Sequence, residues 1–145
     1  MVIKMKKYDK PLETKPGTIV LKKGDIAVGN VLTAGLLKKE EYSLISSHIS
    51  WEEFDEYKDM VEDGNAINYI GHPSTAALLG MEANRVTLQA SAGSTLVVAQ
   101  YDGPRLNESA IDLPEGASLL PTKWEVMKIP NWIKTLIRIW NKYME

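Results

Sequence analysis

The distribution of apolar residues along the first part of the chain predicts short strands separated by polar turns. Residues 18–21 and 26–30 are apolar runs of β-type composition, and the Lys-Lys-Gly-Asp sequence between them is typical of a turn. Residues 42–49 also favour an extended conformation. Between the last two strands we expect a short helix that includes Thr33, Leu36 and Leu37.

Residues 51–62 show the clearest helical period. Apolar side chains recur there three or four positions apart, which places them on one face: Trp51, Phe54, Tyr57 and Val61. Ser50 and Glu53 form a capping-box pattern at the start, and Gly64 follows the end. The other face is acidic, with Glu52, Glu53, Asp55, Glu56, Asp59 and Glu62. Side chains spread over an outer face rarely converge, so we expect a solvated face rather than a metal site.

The middle of the chain predicts one more helix and a hairpin. Residues 66–70 form a buried apolar run, and a short helix that ends at Gly80 follows. Residues 85–90 alternate strictly between apolar and polar positions, and residues 96–101 form another strand. The small-residue turn at 92–94 predicts that these two strands pair with each other.

After a loop that extends to Pro121, residues 124–129 favour a last strand, and an amphipathic helix follows Pro130. The apolar face of this helix contains Ile133, Leu136, Ile137, Trp140 and Tyr143, with Lys134, Arg138 and Lys142 elsewhere. We expect the helix to cover its own domain or a dimer partner, since short helices are stabilised by packing. A membrane surface or a partner's groove is the alternative.

The overall composition fits one compact domain. Strands and helices mix without a regular βαβ repeat, so the α+β class with a mixed sheet is expected rather than a doubly wound fold. The chain has 145 residues and no cysteine, which excludes a disulfide scaffold, a cysteine-based zinc site and a thiol nucleophile. Neither a membrane-spanning stretch nor a secretory signal is recognisable, so a cytoplasmic location is predicted.

The charge is low overall but unevenly distributed. A formal net charge of -2 argues against a protein that coats long nucleic acid. Residues 1–23 hold seven lysines against Asp9 and Glu13, a net charge of +5, which leaves -7 for the rest of the chain. We interpret the basic extension as a solvated terminus; contact with phosphate, an acidic partner or a membrane is the alternative.

His72 is the candidate for proton chemistry. Gly71 permits a sharp entry to the following helix, and Pro73 suits its first position. The hydroxyls of Ser74 and Thr75 and the free N–H groups of a helix start would favour a phosphate. A histidine before a helix is also a common capping or packing residue, and that interpretation stays open. His48, within an extended run, is interpreted as structural, and no metal-ligand pattern is present.

Five short motifs, in this order and spacing, resemble the small type III anti-CRISPR ring nucleases of archaeal viruses and phages. They are Ile26-Ala27-Val28-Gly29-Asn30 with Thr33 and Leu36-Leu37; Ile70-Gly71-His72-Pro73-Ser74-Thr75; Asn84-Arg85-Val86; Gln100; and Gly103-Pro104-Arg105-Leu106-Asn107-Glu108. The resemblance implies a homodimer with a mixed, mainly antiparallel β-sheet covered by helices. It places the ring nuclease-like domain at residues 25–130, between a basic extension (1–24) and the helix at 131–145.

The resemblance also implies an activity and a site. Family members cleave cyclic tetra-adenylate, the messenger that activates type III CRISPR effectors, into linear di-adenylates with 2′,3′-cyclic phosphate, and neither a metal nor another cofactor is implied. The residues carried over as catalytic are His72, Glu108 and Arg105. Those carried over as ligand-binding are Asn30, Thr33, Ser74, Thr75, Arg85 and Gln100. Pro73 and Ser109 depart from the family pattern, so a binding-only protein or an interaction scaffold remains the alternative.

Overall fold

The computed structural model describes residues 13–15, 18–32, 36–37, 42–106 and 112–144. It contains eight strands and three helices within those ranges. In chain order they are β1 (Glu13–Lys15), β2 (Thr18–Val20), β3 (Ile26–Gly29), β4 (Tyr42–His48), α1 (Trp51–Glu62), β5 (Ile67–Asn68), α2 (Pro73–Leu78), β6 (Thr87–Gln89), β7 (Thr95–Asp102), β8 (Ser118–Lys128) and α3 (Asn131–Tyr143).

The larger sheet has five strands in the order β4-β8-β7-β3-β5. Strand β8 pairs antiparallel with β4 on one side and with β7 on the other, over the longest ladders of the fold. Strands β7, β3 and β5 run parallel to one another over shorter ladders. The predicted α+β class, with a mixed and mainly antiparallel sheet, is confirmed.

The parallel strands are buried on both faces, which explains why their sequences are almost continuously apolar. Along β7, Leu96 and Val98 enter one core cluster, while Val97 and Ala99 enter another. The first cluster lies between the two sheets and includes Ile19 and Leu88 of the smaller one. The second lies under the helices and includes Phe54 of α1, Ala76 of α2, and Leu79. The larger sheet is therefore the middle layer of the fold.

The expected hairpin between residues 85–90 and 96–101 is wrong. Strand β6 instead pairs parallel with β2, in a smaller sheet of order β1-β2-β6, whereas β7 lies between β3 and β8. The turn after Ala90 carries the chain from one sheet to the other, and Gly93 there adopts a φ of 87°. Alternation shows which face of a strand is buried, but it does not identify the neighbouring strand.

Two further predictions need correction. Leu36 and Leu37 are not helical: the Leu36 carbonyl accepts a hydrogen bond from the Ala90 N–H at 2.7 Å, and Leu37 forms a parallel bridge with Ala90. Thr33 lies outside the described residues.

Strand β8 begins at Ser118 rather than at residue 124 and includes Pro121. The last residue of β4 pairs with Thr122, so residues 118–121 of β8 pair with β7 alone. Proline is tolerated at such an edge position.

The local signals around the first two helices are confirmed. The Ser50 Oγ accepts a hydrogen bond from the Glu53 N–H at 3.1 Å, as expected at the start of α1. Phe54 is the buried residue of that helix, and its acidic residues lie at exposed or half-buried positions. Gly64 and Gly80 follow α1 and α2 with φ values of 76° and 69°, a conformation that favours glycine.

Helix α3 differs from the other two helices because none of its residues is buried. The expectation that it covers its own domain is wrong for the part of the chain that the structure describes. Trp132, Trp140 and Tyr143 are 65%, 66% and 83% exposed, respectively. Among the described residues, no helix is both long and apolar enough to span a bilayer.

Candidate active site

Three parallel strands of the larger sheet end at the same edge, and several predicted site residues follow directly from those ends. Asn30 comes directly after β3, and the segment after β5 leads to His72. Gln100 lies near the end of β7, two positions beyond Val98, the register partner of Gly29. The carboxyl ends of parallel strands are where open α/β sheets bind ligands. The fold therefore brings together residues that are up to 70 positions apart in the sequence.

His72 is the N-cap of α2. Its backbone is extended (φ -94°, ψ 116°), and its Nδ1 accepts a long hydrogen bond of 3.4 Å from the Thr75 N–H. Pro73 occupies the first turn, as predicted. In a neutral imidazole this contact favours the tautomer that carries its proton on Nε2. The imidazole is half-buried, so one side of it faces solvent.

Arg85 lies beside the segment that leads to His72. Its Nε donates a hydrogen bond of 3.0 Å to the Gly71 carbonyl. The neighbouring Asn84 N–H donates to the Ile70 carbonyl at 2.7 Å, so the two segments are held together by backbone and side chain. The guanidinium is thereby fixed one residue from the histidine. The hydrogen bond to Gly71 thus holds Arg85 next to the segment that contains His72.

Arg105 lies in the loop after β7, and two contacts define the start of that loop. The Tyr101 hydroxyl donates a hydrogen bond to the Pro104 carbonyl. Gly103 lies so close to Ala117 that an added Cβ would be 2.5 Å from the Ala117 Cβ. Arg105 itself is exposed, while Leu106 is buried beneath the loop. The loop therefore presents a cation after β7, the strand that pairs with β3.

The remaining predicted residues have mixed positions. Ser74 and Thr75 are 1% and 2% exposed, so their side chains belong to the packed start of α2. Gln100 is half-buried and pairs with Leu120 of β8. Thr33 and Glu108 lie outside the described residues. Among the described ranges, no group of three or more His, Asp or Glu residues could hold a metal ion.

Tyr69 is a buried polar residue at this edge that the sequence analysis did not single out. It lies against Gly29, and an added Cβ on Gly29 would be only 2.2 Å from the ring carbon that bears the hydroxyl. Its hydroxyl and the Oδ1 of Asn30 are both buried, and neither has a hydrogen-bond partner among the described residues. Burial raises the pKa of the Tyr69 hydroxyl. The only sequence signal was a tyrosine within residues 66–70, a run that is otherwise apolar except for Asn68.

Residues 26–117, well over half of the 145, match the family model described as STIV B116-like. The chain belongs to the STIV B116-like family. The resemblance drawn from the sequence motifs is thus confirmed at the level of the family, and the match is consistent with the viral anti-CRISPR ring nucleases.

A solved structure shares this fold. B116 of Sulfolobus turreted icosahedral virus superimposes with a TM-score of 0.58 and 22% sequence identity. The match covers 72% of this chain and 99% of the viral protein, so this chain has additional sequence beyond the shared fold. No curated relative matches the sequence. The family region contains all the predicted site residues, whereas β1, β2, β8 and α3 lie outside it.

Within the STIV B116-like region, the unpartnered Tyr69 hydroxyl predicts a gain of stability on substitution. Tyr69→Phe removes a buried hydroxyl that has no partner among the described residues, so we expect the free energy of unfolding to rise by about 1 kcal/mol. Tyr101→Phe is the matched control, because its hydroxyl is bonded to Pro104 and its removal should destabilise the protein. Thermal unfolding of both variants checks this. A lower melting temperature for Tyr69→Phe would show that its hydroxyl is hydrogen-bonded in solution.

Proposed function

We propose that this STIV B116-like protein is a metal-independent ring nuclease. It would cleave cyclic tetra-adenylate and so switch off type III CRISPR signalling. The observation that carries the proposal is the hydrogen bond from Arg85 to Gly71, directly before His72, at the edge where strands β5 and β3 end. Family membership supports the same assignment.

The reaction needs few groups from the protein, because RNA carries its own nucleophile. The ribose 2′-OH loses its proton to water as its oxygen attacks the adjacent phosphorus, the bond to the 5′ oxygen breaks, and a 2′,3′-cyclic phosphate forms. The protein has to align the hydroxyl with the phosphorus, stabilise the charge on the phosphate, and protonate the departing 5′ oxygen. Alignment and general acid catalysis both contribute large rate factors.

The proposed roles follow from the chemistry of the side chains. His72 donates the proton to the 5′ oxygen, and Arg105 binds the phosphate oxygens through its guanidinium. Glu108 positions or reprotonates the histidine. The Thr75 N–H donates a hydrogen bond to Nδ1 of His72. A protonated imidazole carries a proton on both nitrogens, so this hydrogen bond has to break in the form of His72 that donates the proton. The length of that contact, 3.4 Å, makes it weak enough to open.

Substrate binding is assigned to the residues around this edge. Asn30, Thr33, Arg85 and Gln100 would line the ligand site, and Ser74 and Thr75, whose side chains are buried, would shape it from the start of α2. A ring of four identical nucleotides can have two-fold symmetry, so a homodimer would offer the same groups to both halves of the ring. Two copies of Arg85 and Arg105 would then offset the four negative charges. This arrangement explains how a protein with a net charge of -2 could bind a tetra-anion.

A binding-only protein is the second candidate, and the observation that supports it is the capping contact of His72. An imidazole that caps a helix already has a structural role, and Pro73 in the first turn departs from the family pattern. In that case the protein would sequester the ring without cutting it. The same residues would bind the phosphates, but no proton would be transferred.

Incubation of the purified full chain with cyclic tetra-adenylate in EDTA distinguishes the two candidates. We expect linear di-adenylate with 2′,3′-cyclic phosphate, identified by liquid chromatography and mass spectrometry. A linear tetra-adenylate serves as the control for contaminating ribonuclease. Intact ring after prolonged incubation with excess protein would contradict the nuclease assignment, and ring that stays intact but bound would establish the binding-only function.

A further inference from the structure

Helix α3 is an amphipathic helix whose apolar face has no partner in the described structure. None of its residues is buried, and its large apolar side chains are about half exposed or more: Trp132, Leu136, Ile137, Ile139, Trp140 and Tyr143. Water contact with so many large apolar groups is unfavourable. The helix also lies outside the family region at residues 26–117, so the activity proposed above does not account for it.

The apolar and cationic residues of α3 are completely separated around the helix axis. At 100° per residue, the cations Lys134, Arg138 and Lys142 occupy an arc of about 80°. The apolar arc is centred opposite to them and spans about 160°. It contains Trp132, Ile133, Leu136, Ile137, Ile139, Trp140 and Tyr143. The helix contains no acidic residue.

We propose that α3 lies on the surface of a bilayer that contains anionic lipid. A cationic face opposite a Trp-rich apolar face is the composition of helices that bind in the plane of the membrane interface. Because the two faces extend along the whole length of α3, the helix axis has to lie parallel to the surface. The apolar face then enters the boundary between headgroups and acyl chains. The three cations remain at the level of the anionic headgroups, each contributing to attraction.

The width of the apolar arc favours a membrane over a single protein helix as the occupant. A helix that pairs with one other helix needs only a narrow seam of two apolar positions in seven. In α3, seven of 13 residues are apolar and cover nearly half of the circumference. A flat surface can bury all of that arc at once. The three cations and the absence of acidic residues in α3 complement an anionic surface.

The test is cosedimentation of the full chain with vesicles. We expect binding to vesicles of phosphatidylcholine with phosphatidylglycerol, and much weaker binding to phosphatidylcholine alone. Leu136→Gln places an amide on the apolar face and should lower the partition coefficient about tenfold or more. Thr135→Gln introduces the same side chain one position away on the polar side and should leave binding unchanged. This pair also separates α3 from the basic extension, which neither substitution alters.

Neutralising the cationic face tests the electrostatic part. The triple variant with Lys134, Arg138 and Lys142 replaced by Gln should bind anionic vesicles about a hundredfold more weakly, since each charge near the surface contributes roughly a factor of five. Rising salt concentration should weaken binding of the unaltered protein in the same direction. Leu136→Gln and Thr135→Gln should retain the melting temperature of the unaltered protein, because α3 buries none of its residues.

Three results would overturn the proposal. One is the absence of binding to anionic vesicles by the full chain. Another is equal binding by Leu136→Gln and Thr135→Gln, which would assign any vesicle binding to another part of the chain. The third is concentration-dependent self-association in analytical ultracentrifugation that Leu136→Gln abolishes while vesicles stay unbound. That result would identify a second copy of the chain as the occupant.

Discussion

Replacement of His72 by alanine is expected to slow cleavage of cyclic tetra-adenylate by about 10²–10⁴-fold, the usual contribution of a positioned general acid. The 5′ oxygen would then leave without a proton from the protein. Binding of the ring should persist, because Arg85 and Arg105 remain and the guanidinium of Arg85 is held by the Gly71 carbonyl rather than by the imidazole. Single-turnover cleavage and a separate binding measurement check both parts.

His72→Asn is the control that separates catalysis from capping. Alanine removes the acceptor that bonds the Thr75 N–H as well as the acid, so it also weakens the start of α2. Asparagine is a strong N-cap residue and preserves that acceptor, but it has no proton to transfer. Both variants should therefore lose cleavage, while His72→Asn keeps the melting temperature closer to that of the unaltered protein. Full activity of His72→Asn would contradict the proposed role of His72 as the acid and would show that the imidazole only caps α2.

Gly29→Ala is expected to destabilise the fold by roughly 3 kcal/mol, the upper part of the range for overpacking a core. The added Cβ would be 2.2–2.5 Å from three ring carbons of Tyr69. Tyr69 cannot move aside easily, because its ring is buried in the core cluster between the two sheets. Chemical denaturation followed by circular dichroism measures the loss as a lower transition midpoint.

The cause of that loss can be tested with two further variants. Gly71→Ala is the matched substitution, because its added Cβ would meet only the Arg85 Cγ at 3.7 Å, an ordinary contact. It should cost much less than Gly29→Ala. In a Tyr69→Leu background, Gly29→Ala should also lower the free energy of unfolding by less, because the ring that the added Cβ would contact is absent. If the cost were the same in both backgrounds, the contact with Tyr69 would not be its origin.

Features that depend on neighbours within one or two turns were predictable from the sequence. The Ser50 cap of α1, the glycine after α1 and the proline in the first turn of α2 all occur where expected. Each is a local interaction, in which a side chain satisfies or replaces a backbone group a few positions away. For the same reason, the position of His72 directly before a helix could be predicted, together with its two possible roles.

Features that depend on the choice of a distant partner were not predictable from the sequence. The alternation in residues 85–90 correctly identified Leu88 and Ala90 as buried, yet β6 pairs with β2 rather than with β7. Leu36 and Leu37 have helix-compatible spacing, but Ala90 binds them as extended chain. In both cases pairing with a distant segment determines the local conformation. For α3, the helical period was predicted correctly. No other element of the described structure covers its apolar face.

Residue types and short spacings were sufficient to predict the candidate reactive side chains, the family motifs and the local turns and caps. Which of those side chains lie close together depends on the tertiary structure. The order β7-β3-β5 brings Gln100, Asn30 and the segment before His72 to one edge. It also places Tyr69 against Gly29, where both the ring and the unpartnered hydroxyl are buried. Contacts of this kind join strands that are far apart in the chain, so they depend on how the strands pair across the whole sheet.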